Sequence, residues 1–144
     1  MKYIPVLAIS VASGCGVLSS EPDSPNVQVE VNASTLEIDP SVGSVMVPFT
    51  VRNTAGADVY LDRCGDRIST LVERRENGRW VHFLSDGCPA VFDMSPLLLE
   101  VGAQRSSFRI LRDRGQYRLR IGVLANLRQA SYSWSNVSQP FVVN

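Results

Sequence analysis

The side chains with the most distinctive chemistry in this sequence are its three cysteines, Cys15, Cys64 and Cys88. Cys64 and Cys88 form an even pair within the body of the chain, and such a pair in an exported protein normally forms a disulfide. The closed loop would have about 25 residues, a constraint that the chain-entropy model values at roughly 3.5 kcal/mol. A metal site is the alternative, but one histidine and no second cysteine near either thiol supply too few ligands. We therefore predict a Cys64–Cys88 disulfide, and no metal or other cofactor.

Cys15 closes an N-terminal segment of a different character. Lys2 is followed by a short apolar run that ends by Val11, and small residues at 12–14 lead into the cysteine. This order is typical of a secretory signal peptide. The segment resembles the lipobox of bacterial lipoproteins, which implies cleavage before Cys15 and lipidation of its thiol. The alternatives are a signal peptide cut elsewhere or a buried N-terminal strand; a spanning helix needs about 20 apolar residues and is excluded.

The lipoprotein resemblance divides the chain into three parts. Residues 1–14 are the signal peptide, residues 15–26 are the lipidated cysteine with a flexible tether, and residues 27–144 form one domain. Bacterial lipoproteins carry two or three acyl chains on this cysteine, and several chains together anchor a protein stably. Gly16, rather than Asp, follows the cysteine, which favours the outer membrane if the host is Gram-negative. We therefore expect a lipid-anchored protein of the cell envelope.

Catalytic chemistry is poorly supported by the remaining residues. His82 is the only histidine, and no serine or cysteine motif accompanies it, so a partly buried structural histidine is the preferred interpretation. The loop acids lack calcium-binding spacing, and phosphate-cradling glycine motifs are absent. Met46 and Met94 are isolated and are interpreted as core filler. The sequence therefore predicts a protein that is not an enzyme.

The arginines are the remaining candidates for binding. Net charge is zero, which gives no indication of nucleic-acid binding, but the charges are unevenly distributed. Seven acids and one Arg fall between residues 15 and 62, whereas seven Arg and one Asp fall between 101 and 144. The preferred interpretation is that N- and C-terminal strands pair and cancel each other. The alternative is a basic binding face formed by Arg109, Arg118 and Arg120.

These side chains must be positioned by strands, because nearly every segment has a period of two rather than 3.6. The clearest examples are residues 45–52 and 116–124, where apolar and polar side chains alternate. Asn77-Gly78 between residues 69–76 and 79–84 is a strong signal for a hairpin with a type I′ turn. Repeated short strands predict an all-β protein, an immunoglobulin-like antiparallel β-sandwich of about seven to nine strands.

Two stretches favour the sandwich over a barrel. One is Leu99-Glu100-Val101-Gly102 followed by Phe108-Arg109-Ile110, which looks like the edge and return strands that precede a tyrosine corner, and the other contains the corner itself. Tyr117 stands near the start of a late, long strand and resembles a tyrosine corner, in which the hydroxyl bonds to upstream backbone. Trp80 is expected in the core, packed on the disulfide, while Trp134 fits either the core or a binding surface. The strand order over residues 45–124 is similar to bacterial immunoglobulin-like domains, including the intracellular proteinase inhibitor family of Bacillus. The resemblance implies the fold, and no inhibitory residue is carried over.

The leading functional hypothesis is a lipid-anchored, non-catalytic binding or structural module of the cell envelope. A secreted protease or hydrolase inhibitor is an alternative, and a long ordered loop would favour it. An accessory subunit of an envelope complex is the third hypothesis, and an uncovered apolar edge strand would favour that. The expected partners are the membrane, through Cys15, and an envelope protein, rather than nucleic acid.

Overall fold

A computed structural model describes residues 26–144, so Cys15 and the predicted signal peptide lie outside the described residues. Within this range the secondary structure consists of strands, without helix. In chain order they are β1 (Val27–Val31), β2 (Thr35–Leu36), β3 (Val45–Asn53), β4 (Val59–Leu61), β5 (Arg63–Cys64), β6 (Arg67–Ile68), β7 (Thr70–Glu76), β8 (Arg79–Ser85), β9 (Leu97–Leu99), β10 (Gln104–Leu111), β11 (Gly115–Leu124), β12 (Ser133–Val137) and β13 (Phe141–Val143).

The strands form two main sheets. The small sheet has the order β1-β3-β10, and both of its pairs are antiparallel. The large sheet is built around β11, which pairs with β7 and β4 on one side and with β12 and β13 on the other. β8 pairs with β7 at one edge, and β2 joins β13 in parallel. The predicted immunoglobulin-like β-sandwich is therefore confirmed.

The core lies between the inner faces of the two sheets. Alternate residues of β3 and β11 supply its centre, because side chains of a strand point to opposite faces in turn. The fully buried side chains of these two strands are Val47, Phe49, Val51, Tyr117, Leu119, Ile121 and Val123. Each buried apolar side chain of this size stabilises the fold by about 1.5–3 kcal/mol, so this alternating pattern fixes which face of each strand is internal.

Two local predictions hold in the structure. The Tyr117 hydroxyl donates a hydrogen bond to the backbone oxygen of Asp113 at 2.9 Å, which confirms the tyrosine corner. Asn77 and Gly78 have φ angles of 50° and 78°, the positive values that a type I′ turn requires at both central residues. Their turn joins β7 to β8 in the expected hairpin.

An insertion interrupts the strand that precedes this hairpin. β4 and β7 both pair with β11, and the chain between them leaves the sheet to form the small β5–β6 hairpin. The Ser69 backbone N–H donates to the Asp62 carbonyl at 3.0 Å and closes the base of the excursion. Ile68 from this hairpin is buried in the core, so the insertion belongs to the packed domain.

A β-bulge interrupts the alternation of side chains in β8 next to His82. Glu73 pairs with His82 and Val72 pairs with Leu84, so Phe83 is an extra residue in the strand. The extra residue turns Leu84 to the opposite side of the sheet from His82, and His82 itself is exposed rather than partly buried. His82 and Leu84 therefore lie on different faces of β8, because strict alternation fails at a bulge.

The two methionines assigned to the core are also on the surface. Met46 is 56% exposed and Met94 is 51% exposed. Met46 belongs to β3, but it alternates with the buried Val45 and Val47 and therefore points outward. Met94 lies in the loop between β8 and β9. No helix among residues 26–144 is long and apolar enough to cross a membrane.

Candidate functional site

The outer face of the large sheet carries an unusual set of side chains, Glu73, Trp80, Arg118, Arg120 and Trp134, which we call the arginine–tryptophan face. The pairing of β7 with β11 sets Arg118 directly opposite Glu73. β8 adds Trp80 at one edge of the sheet, and β12 adds Trp134 on the other side of β11. All five side chains are half-buried. They therefore line the sheet surface instead of extending freely into solvent.

Glu73 is the centre of this face because it binds two arginines. Its carboxylate accepts from Arg118 Nε at 2.5 Å and lies 2.8 Å from Arg120 Nε. Burial raises the pKa of the Glu73 carboxyl, but hydrogen bonds and charge from Arg120 and Arg118 outweigh burial and hold its pKa below its ordinary value. One carboxylate shared by two guanidinium groups leaves one positive charge on the face.

Trp80 packs against the arginines instead of against the disulfide. The Arg118 guanidinium carbon lies 4.5 Å from the centre of the indole ring, and that of Arg75 lies 6.0 Å from it. These are cation–π distances, at which the ring face attracts a positive charge. The prediction of a core Trp80 is wrong, because its partner on β7 is Arg75, an exposed residue.

Trp134 lies across β11 at the other end of the face. A Cβ atom on Gly122 would come within 2.9–3.1 Å of three atoms of the indole ring, so only glycine allows the ring to approach the strand this closely. The Trp134 carbonyl accepts a hydrogen bond from Arg120 Nη1 at 3.0 Å. Trp134 therefore covers the outer surface of the sheet. Of the two positions that the sequence left open for Trp134, core and surface, the structure shows the surface.

The structure brings together two of the three predicted arginines. Arg118 and Arg120 share the arginine–tryptophan face, whereas Arg109 belongs to β10 in the small sheet. Arg109 stands opposite the buried Val47 and therefore points inward, where it forms an ion pair with Asp86. The three arginines do not form one face, because β10 and β11 belong to different layers of the sandwich.

The acids that bind these arginines also differ from the expected ones. Acids of the N-terminal strands were expected to balance the C-terminal arginines. Instead, the partners are Glu73 on β7 and Asp86 just after β8. The N- and C-terminal segments do meet, since β2 pairs with β13, but this pairing involves Thr35 and Val142 and no charge.

The predicted disulfide is confirmed, and it organises a long loop. Cys64 of β5 is bonded to Cys88, with the two Cα atoms 5.5 Å apart. Arg63 donates to the Ser95 carbonyl at 2.8 Å and pairs with Asp93, while the Gly65 N–H donates to the Asp93 carbonyl at 2.9 Å. The chain between β8 and β9 is thus tied at several points to the inserted hairpin.

Metal or nucleophilic chemistry gains no support from the arrangement of side chains. His82 is exposed, and its cross-strand neighbour is Glu73, which already binds two arginines. Among residues 26–144 there is no group of three His, Cys, Asp or Glu side chains that could hold a metal ion. Cys15, the predicted lipidation site, lies outside these residues.

Comparisons with known proteins give distant structural similarities. No protein-family model matches the sequence, and no curated protein is significantly similar to it. Among solved structures, the chain is similar to the CARDB domain of a Pyrococcus furiosus protein, with 13% identity and a TM-score of 0.41 over 84% of this chain and 94% of that one. It is also similar to a PapD-like domain of human CEP192, with 17% identity and a TM-score of 0.37 over 96% and 94% of the two chains. At this identity and TM-score, neither similarity carries an activity, ligand or partner over to this chain.

Proposed function

We propose that this protein is a lipid-anchored, non-catalytic binding or structural module of the cell envelope. The observation that carries the proposal is the Cys64–Cys88 disulfide. Disulfides persist in oxidising compartments and are rare in the cytosol, so this bond supports export. Export agrees with the signal-like segment that ends at Cys15.

The anchor would leave the domain free to bind a partner. The first strand begins at Val27, eleven residues after Gly16, so the Ser- and Pro-rich segment between lipid and sandwich is short. A tether of this composition supplies reach but little apolar surface. Membrane attachment would therefore depend on the acyl chains on Cys15, and the sandwich would contribute the binding surface.

Replacement of Cys15 by serine tests the anchor. The C15S protein cannot be acylated, so it should leave the detergent phase that holds the wild-type protein. The matched control is a double variant with Cys64→Ser and Cys88→Ser, which loses the disulfide and should still partition into detergent. Equal partitioning of wild type and C15S would disprove the lipid anchor.

An inhibitor of secreted hydrolases is the second candidate, and the tied loop between β8 and β9 favours it. Val91 near the tip of this loop is 89% exposed, while Cys88, Asp93 and Ser95 are held by the inserted hairpin. A loop that is already fixed loses little conformational entropy on binding, which is what an inhibitory loop needs. Val91→Asp should abolish inhibition of any sensitive protease, whereas Val42→Asp, at another exposed valine, should not.

An accessory role in an envelope complex would use a different region, the edge strand β8. In the described residues β8 pairs with β7 alone, so one side of its backbone is open for a strand of a partner. Its apolar side chains Val81 and Phe83 are half-buried, and Leu84 is exposed. The backbone N–H of His82 belongs to a non-hydrogen-bonded pair of the hairpin and points to the open side of β8. His82→Pro would therefore block strand addition, and its loss of partner binding would distinguish this role from inhibition.

A further inference from the structure

A second group of arginines lines an open cleft where the edges of the two sheets meet. The cleft lies between the end of β8 and the end of β10 and has a volume of about 410 Å³. This volume is within the range of about 300–1,000 Å³ that is typical of small-molecule sites. Three arginines and two exposed apolar side chains contribute to its lining: Arg67, Arg109, Arg112, Leu84 and Ile110. We call it the arginine cleft.

Arg109 is the most constrained of these arginines. Its side chain is 14% exposed, its Nη1 pairs with Asp86, and its Nη2 donates to the Ser85 carbonyl at 3.4 Å. The Nε atom is buried and has no hydrogen-bond partner within residues 26–144. A buried guanidinium donor without an acceptor destabilises the protein, because it has lost its hydrogen bonds to water and has gained none in return.

The carboxylates of the arginine cleft do not balance its arginines. Three arginines face two acids, Asp86 and Asp113. Asp86 is already engaged, since it accepts the Thr70 backbone N–H at 2.7 Å in addition to pairing with Arg109. Arg67 and Arg112 make no salt bridge with any residue in 26–144. Burial, and then the positive charge of Arg67, lower the pKa of the Arg109 guanidinium, so these two cations repel each other.

We propose that the arginine cleft binds a small amphipathic carboxylate, with its anionic group near Arg67 and Arg112 and its apolar part against Leu84 and Ile110. A carboxylate would supply the missing negative charge and accept the paired N–H groups of a guanidinium. Leu84 and Ile110 are 36% and 37% exposed, so covering them removes apolar surface from water. The site extends the proposed binding role and does not depend on the lipid anchor.

Calorimetric titration of hexanoate into the full-length chain carrying Cys15→Ser tests this site separately from the anchor. Hexanoate should bind saturably, and hexanol, which has the same number of carbon atoms and no charge, should bind at least tenfold more weakly. Arg67→Gln should weaken hexanoate binding at least tenfold. Arg79→Gln removes the same charge from an exposed position at the turn of the β7–β8 hairpin and should change the affinity less than twofold.

Arg67 also contacts β10, since its guanidinium carbon lies 5.7 Å from the centre of the Phe108 ring, and its replacement could disturb the β5–β6 hairpin. A second variant therefore tests the site without touching this contact. Arg112→Gln, at an exposed position after β10, should likewise weaken hexanoate at least threefold without a change in circular dichroism. Equal affinities for hexanoate and hexanol, or equal affinities of R67Q, R112Q and R79Q, would overturn the proposal.

The carboxylate could belong to a free acid or to the C-terminus of a peptide, and a second pair of probes separates the two. A short peptide that ends in leucine is compared with the same peptide amidated at its C-terminus. Tighter binding of the free-carboxyl peptide than of hexanoate identifies a chain terminus as the ligand. Binding of hexanoate with exclusion of the peptide identifies a free acid.

Discussion

The arginine–tryptophan face and the arginine cleft use the same side chain in opposite ways. On the face, Arg118 and Arg120 share Glu73, and Arg118 also packs on Trp80, so each guanidinium has a partner. In the cleft, considering residues 26–144, Arg109 has one carboxylate and an unpaired Nε, and Arg67 has no carboxylate partner. The two regions differ in the number of unsatisfied guanidinium donors and not in arginine content, and the binding proposal for the cleft rests on that difference.

The largest expected effect comes from the disulfide, which joins the β5–β6 hairpin to the segment after β8. Cys64 lies in the hairpin that carries Arg67, and Cys88 follows Asp86 by two residues. Replacement of both cysteines by serine should lower the free energy of unfolding by about 3.5 kcal/mol, because the unfolded chain regains the entropy of an open loop. Urea denaturation measures this loss. Unchanged stability, or free thiols in protein isolated without reductant, would contradict it.

The double cysteine variant should also affect the arginine cleft and the arginine–tryptophan face differently. Binding of hexanoate should weaken, because the hairpin that carries Arg67 is no longer linked covalently to the segment that carries Asp86. Trp134 lines a pocket together with Cys88, so it is replaced by phenylalanine in both proteins for this measurement. The fluorescence of Trp80 in the folded protein should then change little, because its partners, Arg118 and Arg75, do not involve the disulfide.

The next effect concerns Asp86, the only ion-pair partner of Arg109 within the described residues. Asp86→Asn keeps an oxygen for the Thr70 N–H but leaves a nearly buried guanidinium without its counter-charge, and should destabilise the protein by about 3 kcal/mol. The same variant should bind hexanoate more tightly, since one negative charge has left the cleft. Thermal unfolding with and without hexanoate measures both effects, and a loss of affinity would contradict the arrangement.

Replacement of Arg118 and Arg120 by glutamine should have a smaller effect. Both side chains are about one-quarter exposed, at 22% and 26%, and an exposed pair contributes about 0.5–1 kcal/mol. The double variant should therefore lose about 1–2 kcal/mol in the free energy of unfolding. An unchanged melting temperature together with loss of a partner would show that this face is a docking surface for an acidic protein or polymer.

The smallest effect is the pH dependence of Glu73. Its pKa is lowered in the folded state, so its ion pairs stabilise the protein above the ordinary value of 4.5 and lose this contribution as the pH falls through the folded pKa. The stability difference between wild type and Glu73→Gln should be constant above pH 5.5 and shrink toward pH 3. Urea titrations in a His82→Gln background exclude any contribution of the neighbouring histidine to the pH dependence of stability. A difference that grows on acidification would contradict the pairing.

The sequence predicts the sandwich better than it predicts its surfaces. Alternation in residues 45–52 and 116–124, the Asn77-Gly78 turn and the Tyr117 corner are local signals, and each one fixes a neighbouring element. The disulfide follows from counting the thiols. The outward direction of Glu73 could also be predicted, because alternation along β7 puts it on the face away from the buried Val72. Its pairing with Arg118 depends on the register of β7 against β11, which the sequence pattern does not reveal.

The surface features depend on departures from regular strands, which an alternating sequence pattern does not predict. One extra residue at Phe83 separates Leu84 from the face of Trp80 and His82. The excursion of β5 and β6 out of the sheet brings Arg67 toward β10, although 42 positions separate it from Arg109 in the numbering. The arginine cleft combines a bulged edge, an insertion and a strand from the other layer, so none of its parts identifies it alone.

The register of the small sheet has a consequence for the order of folding. β3 pairs with β10 so that Val45 meets Leu111, and this sheet cannot close until most of the chain is present. The β7–β8 hairpin, by contrast, closes over two residues. Hairpins form in about 1–10 μs, whereas sandwiches dominated by distant pairings fold in milliseconds to seconds. We expect the hairpin to form early and the two layers of the sandwich to close late.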